Sequence, residues 1–363
     1  MLTDGVIRSE LIFDHAPFPS CHAATLVETA DGILCAWFGG TREGQPDVSI
    51  WTARLRGNRW TQPQMVASGN GLPCWNPVLF QPKDGLLQLF YKIGPSPSKW
   101  WGMLQTSQDG GRTWSAPDRL PAPLLGPAKN KPVQLSDGTI ISPGSVEGDI
   151  GWRVYFETSV DGGRTFSAGP FVDQPPDLKA LQPTILIHSD TRLQAICRTT
   201  GGRLFQTWSE DAGKTWSKLE STDLPNCNSG IDAATIIVRP GGSASAAGSV
   251  RSEHVPDSVG SRLHLLVYNH SNLEKVRYPL CVAISRDGRL WQAAIELETE
   301  PPGQYSYPAV IQSRDGLVHV VYTWKRRSIK HVVIDPAGLR PKPLAVFRCP
   351  PPGSPTHRSD EFQ

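Results

Sequence analysis

Ser107 to Trp114 reads SQDGGRTW, and the same frame returns as SVDGGRTF at Ser159 to Phe166 and as SEDAGKTW at Ser209 to Trp216. A shortened copy, SRDGRLW, stands at Ser285 to Trp291, and an NRW turn ends at Trp60. From Trp60 the closing aromatics Trp114, Phe166 and Trp216 follow at steps of about 54, 52 and 50 residues, a period in the range of repeat architectures. Within each copy the Asp can accept backbone N–H groups across the turn, the Gly permits positive φ, and the aromatic packs back between the outer strands.

Between the turns lie short apolar or alternating runs such as GILCAWF, VSIWTARL, LLQLFYKIG, PTILIH, RLQAICR and LVHVVYTW, bounded by Gly, Asp, Asn or Pro. They read as strands. With 33 prolines and 34 glycines, and no sustained 3.6-residue periodicity, little helix is expected. About four strands per unit describe a propeller blade. The turns at Trp60, Trp114, Phe166, Trp216 and Trp291, plus a turnless unit from Tyr305 to about Phe347, predict an all-β, six-bladed β-propeller with four antiparallel strands per blade. IRSELIF, Ile7 to Phe13, is expected to pair with the last blade and lock the ring. GGSASAAGSVRSEHVPDSVGS reads as a flexible insertion in the fifth blade, about residues 240–262, and residues from about 350 to 363 as a tail. The whole of 1–363 is taken as one domain.

The net charge of +2, from 36 basic and 34 acidic residues, gives no global field for nucleic acid or a membrane surface. Seven cysteines without a CxxC pair suggest neither a disulfide framework nor a zinc site. No metal-ligand cluster and no Gly-rich phosphate loop stands out, so no cofactor is expected. The first residues lack a signal-peptide pattern, which points to the cytoplasm. Oligomeric state is not legible.

Polar clusters that the blades do not need fall mostly at strand ends: CHA at Cys21 to Ala23, TREGQPD at Thr41 to Asp47, KNK at Lys129 to Lys131, NCNSGID at Asn226 to Asp232, VYNH at Val267 to His270 and YSYP at Tyr305 to Pro308. In a propeller such positions converge on one face of the channel. Each has a plain alternative: Asp47 as a turn cap, His22 as a satisfied structural histidine, Tyr307 as an aromatic core residue, the two lysines as a solvated face, Arg198 as half of an ion pair. Arg326 and Arg327 read as outer surface, with Arg326 the better placed to reach inward. Trp51, Trp75, Trp100 and Trp101 suit either sugar stacking or blade packing.

The repeats resemble the Asp-boxes (BNR repeats) of the sialidase superfamily, in which the boxes lie on the outer turns away from the active site. The first blade, HAATLVETADGILCAWFGGTREGQPDVSIW, is similar to that family's first blade over its whole length, and PxKNKP, NxNSGID and YSYPAVIQ resemble segments of bacterial proteins described as predicted neuraminidases. The resemblance implies an exo-acting glycoside hydrolase on an acidic or complex glycan. Asp47 would be the general acid and Tyr307 the nucleophile, with Asp232 in place of the Glu that activates that Tyr. Arg42, Lys129, Lys131 and Arg198 would supply positive charge, with Asn226, Tyr268 and Arg326 as further substrate contacts. Two of the family's three carboxylate-binding arginine positions read His22 and Tyr268 here, and neither copies a bidentate guanidinium. The alternatives are a polysaccharide lyase using a His or Tyr base with an Arg or Lys neutraliser, in which His22, Tyr268, Tyr307 and Arg198 would be the catalytic groups, and a non-catalytic carbohydrate-binding propeller.

Overall fold

The computed structural model describes residues 5–148, 151–239 and 260–355. Six antiparallel sheets follow one another along the chain. Their first strands are Ser20–Thr29, Cys74–Phe80, Val133–Gln134, Ala180–Ile187, Asp232–Val238 and Tyr305–Gln312. First strands of neighbouring blades touch at most junctions, and in the third blade the second strand, Ile140–Gly148, makes that contact. The first blade carries an extra strand, Gln64–Ala67, beside Ser49–Arg56. The inserted segment at 240–259 and the tail at 356–363 lie outside the described residues.

Val6–Leu11 pairs antiparallel with Ser328–Ile334 and so supplies the fourth strand of the sixth blade, closing the ring as the sequence predicts. Arg8 reaches Asn58 of the first blade, and Trp60 donates to Glu10 at 2.9 Å. The sixth blade ends at Ile334 and not near Phe347. Beyond it the chain folds back on the fifth blade, where Ala293 and Lys342 exchange backbone hydrogen bonds of 2.8 Å and Phe347 joins the core between the fourth and fifth blades.

The boxes connect third and fourth strands. Asp109 Oδ1 accepts the N–H groups of Arg112 and Thr113, and Oδ2 accepts the Thr113 hydroxyl at 2.6 Å. Ser107 Oγ accepts the Gly111 N–H, and Gly110 and Gly111 both take positive φ. Asp161 and Asp211 repeat the pattern. The closing aromatics do not stay within their own blade. Phe166 packs on Phe90 and Trp216 stacks on Phe156 at 3.9 Å, each reaching the preceding blade. Box carbonyls are tied the same way: Gln88 donates to Gly163 O at 2.7 Å, Gln194 to Gly288 O at 2.8 Å, and Arg54 to Gly110 O. A turn that satisfies its own backbone thus also fastens adjacent blades.

Candidate functional site

In four of the six blades the first strand is interrupted at one equivalent point. The register to the second strand shifts between His22 and Thr25, Trp75 and Val78, Leu181 and Thr184, and Ser306 and Ala309. Just inside each shift one residue takes a left-handed backbone: Ala23 at φ 58°, Asn76 at 36°, Gln182 at 52° and Tyr307 at 54°. Proline follows in three of them, where a missing N–H is tolerated because the ladder is already broken. Left-handed backbone costs a non-glycine residue about 1–3 kcal/mol. In Tyr307 that strain holds a tyrosine ring against the side chains gathered at one end of the ring of blades.

Two arginines and a lysine surround this ring. Arg198, at the end of Leu193–Thr199, donates from Nη1 to the Tyr307 hydroxyl oxygen at 2.6 Å and to Gln182 Oε1 at 3.2 Å. Asn228 fixes the guanidinium through its side-chain and backbone oxygens. The Arg198 and Arg277 guanidinium carbons both lie 5.6 Å from the ring centroid, and Lys129 Nζ lies 5.9 Å away. Arg277 sits in the loop before Leu280–Ser285, and its carbonyl accepts the Tyr305 N–H, which anchors it beside the Tyr307 strand. Burial lowers the pKa of Arg277, while Tyr307 favours its charged form. Gly230 leaves room for the tyrosine: a Cβ there would stand 3.1 Å from the ring.

His22 is buried, with its ring 4.2 Å from that of Tyr307. Its Nδ1 is 2.8 Å from Thr323 Oγ1, and Nε2 makes no hydrogen bond among the described residues. Burial first, and then Arg326, Arg277, Arg198 and Lys129, hold its pKa well below the usual histidine range. His22 is therefore neutral at physiological pH. It answers the surrounding cations without adding to them.

The KNK segment crosses the channel and gives its donors to the protein. Lys129 Nζ donates to Asn130 Oδ1, Ile231 O and Pro308 O, and Asn130 Nδ2 donates to the carbonyls of Gln182 and Pro183. Burial pushes the Lys129 pKa down to about 7, with Asp232 acting in the opposite sense. Lys131 pairs with Asp232 at 2.8 Å and with the Ala233 carbonyl at 2.9 Å. Three residues of the third blade thus tie together the fourth, fifth and sixth.

Asp232 has no contact with the Tyr307 hydroxyl, contrary to the expectation from sequence. Its oxygens accept from Lys131, Thr184 Oγ1, the Val310 N–H and the Ala233 N–H, all between 2.8 and 2.9 Å. A buried carboxylate needs such partners, and here all but the Ala233 N–H come from other blades. Tyr268 is also displaced from its expected place. It lies in the core between the fourth and fifth blades, hydrogen-bonded to His270 at 2.6 Å, with its pKa raised well above the usual range by burial. Asn226 is buried and shapes its own loop, accepting from Asn228 N and donating to Ser229 O.

The Thr41–Asp47 loop covers this end of the first blade. Asp47 is exposed, and its Oδ2 accepts the Thr41 N–H at 2.7 Å and the Thr41 hydroxyl at 2.6 Å, while Oδ1 makes no hydrogen bond among the described residues. Arg42 is exposed. Glu43 pairs with Arg326 at 2.7 Å, and Gly44 approaches the Trp75 indole. Trp75 in turn meets Trp100 edge-on at 6.0 Å. Trp51 and Trp101 are engaged elsewhere, with Phe18 and Arg119. Opposite, on Ile140–Gly148, Ser145 bonds the Gln182 N–H, and Glu147, two residues on and therefore on the same face, feels the charge of Arg198.

Sequence reading missed Arg277, Glu147, Gln182 and Asn76. The repeated X-Pro at WNP, LQP and SYP was the signal for the last two, because it marks the interrupted strand in each blade. Among the described residues no group of three His, Cys, Asp or Glu side chains is arranged to hold a metal ion.

Comparison with known structures agrees with the six-bladed ring. The NanB sialidase of Streptococcus pneumoniae superposes with a TM-score of 0.70 at 14% identity, covering 91% of this chain and 71% of that one. A protein of unknown function from Dyadobacter fermentans gives 0.69 at 16%, covering 92% and 99%. Trypanosoma rangeli sialidase gives 0.66 at 13%, covering 88% and 55%. No curated protein sequence matches. At such identities the likeness is one of fold. The profile of the BNR repeat-like domain matches residues 31–320, and with its Asp-box turns and six-bladed sialidase fold the chain belongs to that family.

Proposed function

We propose that this protein is an exo-acting glycoside hydrolase of sialidase-like type acting on an acidic glycan. The observation that carries the reading is the strained Tyr307, its oxygen 2.6 Å from Arg198 and its ring flanked by Arg277 and Lys129. Arg198 and Arg326, named from the sequence, and Arg277, which the sequence did not reveal, supply a guanidinium set, and guanidinium groups suit a planar carboxylate. Arg42, exposed on the Thr41–Asp47 loop, adds positive charge at the mouth.

In the first half-reaction the Tyr307 oxygen bonds to the anomeric carbon as the glycosidic bond breaks. The phenolic proton passes to solvent, and Asp47 gives its proton to the leaving oxygen. In the second, water gives a proton to Asp47 and attacks the same carbon, the tyrosyl bond breaks, and Tyr307 is reprotonated. Arg198 meets the charge that develops on the tyrosine oxygen in both steps. Asp232 serves by holding the Tyr307 strand in place through the Val310 N–H.

One observation favours a lyase as the second reading. His22 is neutral, oriented by Thr323, and free at Nε2, as a base abstracting the proton beside a uronate carboxylate would be. The two readings separate in one experiment: a fluorogenic sialoside and a panel of uronate polysaccharides are incubated with wild type, Asp47→Asn, Tyr307→Phe and His22→Gln. Release of the fluorophore, lost in the first two variants, supports the hydrolase. Ultraviolet absorbance rising from an unsaturated uronate, lost in His22→Gln, replaces it with the lyase.

A further inference from the structure

Among the described residues the cations around Tyr307 and His22 make two ion pairs, Lys131–Asp232 and Glu43–Arg326, and the second differs from the first in kind. Lys131 and Asp232 are locked by further hydrogen bonds on both sides. Glu43 is held to Arg326 through one oxygen, at 2.7 Å, with side chains 38% and 18% exposed. Glu43 also lies near enough to Glu147 to raise that carboxyl's pKa, in addition to the larger effect of burial. One carboxylate is thus attracted by Arg326 and repelled by another across the mouth.

Arg326 is itself held in a left-handed backbone at φ 59°, with its carbonyl accepting the Cys21 N–H beside His22. Its position is fixed from the backbone whether or not Glu43 is present. Glu43 belongs to the loop that ends in Asp47, and that loop has two other restraints: the Asp47 bonds to Thr41 and the packing of Gly44 on Trp75.

We propose that Glu43 is a resident counter-ion for Arg326 that a ligand's carboxylate must replace, so that it sets both the affinity for acidic sugars and the position of the Asp47 loop. A neutral sugar has no group with which to displace Glu43. An anionic sugar exchanges one carboxylate for another on Arg326, and the freed Glu43 releases the centre of the loop while Asp47 stays tied to Thr41. Glu43 is a specificity and positioning residue. The inference rests on the acidic-glycan reading above.

The test uses the full-length protein with N-acetylneuraminate, galacturonate and neutral galactose as probes, followed by calorimetry, with hydrogen exchange across residues 41–48. For Glu43→Gln and Glu43→Ala the expected result is binding of at least one acidic sugar about 3- to 10-fold tighter than wild type, the scale of a partly exposed ion pair removed from competition. Galactose stays unbound, and loop exchange in the unliganded variants rises to the level that wild type reaches only with the acidic sugar. Binding of an acidic sugar to wild type with equal or weaker affinity in both variants overturns the counter-ion role and leaves the function reading standing. Failure of wild type and variants alike to bind either acidic sugar overturns the function reading and the exchange together.

Discussion

Replacing Asp232 by Asn separates a structural carboxylate from a catalytic one. Asp232 accepts four hydrogen bonds, including one from the Lys131 ammonium, at a site only 1% exposed. The amide would lose the charge that compensates Lys131 and would turn an NH₂ toward at least one existing donor. Breaking a buried ion pair from one side costs about 3–5 kcal/mol. Unfolding entropy of roughly 2.1 cal/mol/K per residue gives about 0.76 kcal/mol/K for a chain of this length, so the melting temperature should fall by about 4 to 7 °C. The assay is calorimetric melting of wild type, Asp232→Asn and Tyr307→Phe, with activity measured well below all three transitions. Tyr307→Phe should melt about 2 to 4 °C below wild type, since a hydrogen bond to a charged group such as Arg198 is worth about 1.5–3 kcal/mol, and should be inactive. Asp232→Asn should be destabilised and retain measurable turnover. An Asp232→Asn protein with unchanged melting and turnover reduced more than 100-fold would refute the assignment and restore Asp232 as the partner of Tyr307.

Gly230→Ala should reduce turnover while leaving the melting temperature within about 4 °C, because its Cβ presses on the Tyr307 ring at 3.1 Å; full activity would mean that the ring position is not critical. The Asp211 carboxyl is lowered to about 2, chiefly by the Thr215 hydroxyl and N–H. A depressed carboxylate stabilises the fold above its unfolded pKa near 4, and the contribution is lost as pH falls toward 2. Unfolding midpoints measured from pH 5 to 2 should therefore decline less steeply in Asp211→Asn than in wild type, and parallel curves would contradict the role assigned to the box. Six of the seven cysteines are buried and Cys349 is exposed, so a thiol reagent should label one equivalent in the native protein and seven after unfolding; rapid labelling of more than one would place a second thiol at the surface.

The ring was legible because one turn is spelled out several times, and hydrogen bonds within that turn depend on local sequence alone. The N-terminal strand was legible for a different reason, since the last unit lacked a fourth strand and the short apolar-ended run IRSELIF was left over to supply it. What the sequence did not disclose is pairing across the channel. Asp232 opens the strand Asp232–Val238 in a segment that resembles a catalytic one, yet apart from the Ala233 N–H its partners come from the third, fourth and sixth blades, which no local pattern specifies. Tyr268 and Asn269 are neighbours on one strand, and which of them faces the blade interior depends on register. Arg277 escaped notice because it lies in a loop between strands with no motif of its own. Its position beside Tyr307 is set where the fifth blade meets the sixth, through the backbone contact of Arg277 with Tyr305.

The most direct test of the acidic-glycan account is a crystal structure of the protein soaked with the acidic sugar that binds most tightly. The account predicts the sugar carboxylate within hydrogen-bonding distance of Arg277 and at least one of Arg198 and Arg326, with the anomeric carbon facing the Tyr307 oxygen. A sugar bound away from Tyr307, or one whose carboxylate points to solvent with the arginines unengaged, would contradict it.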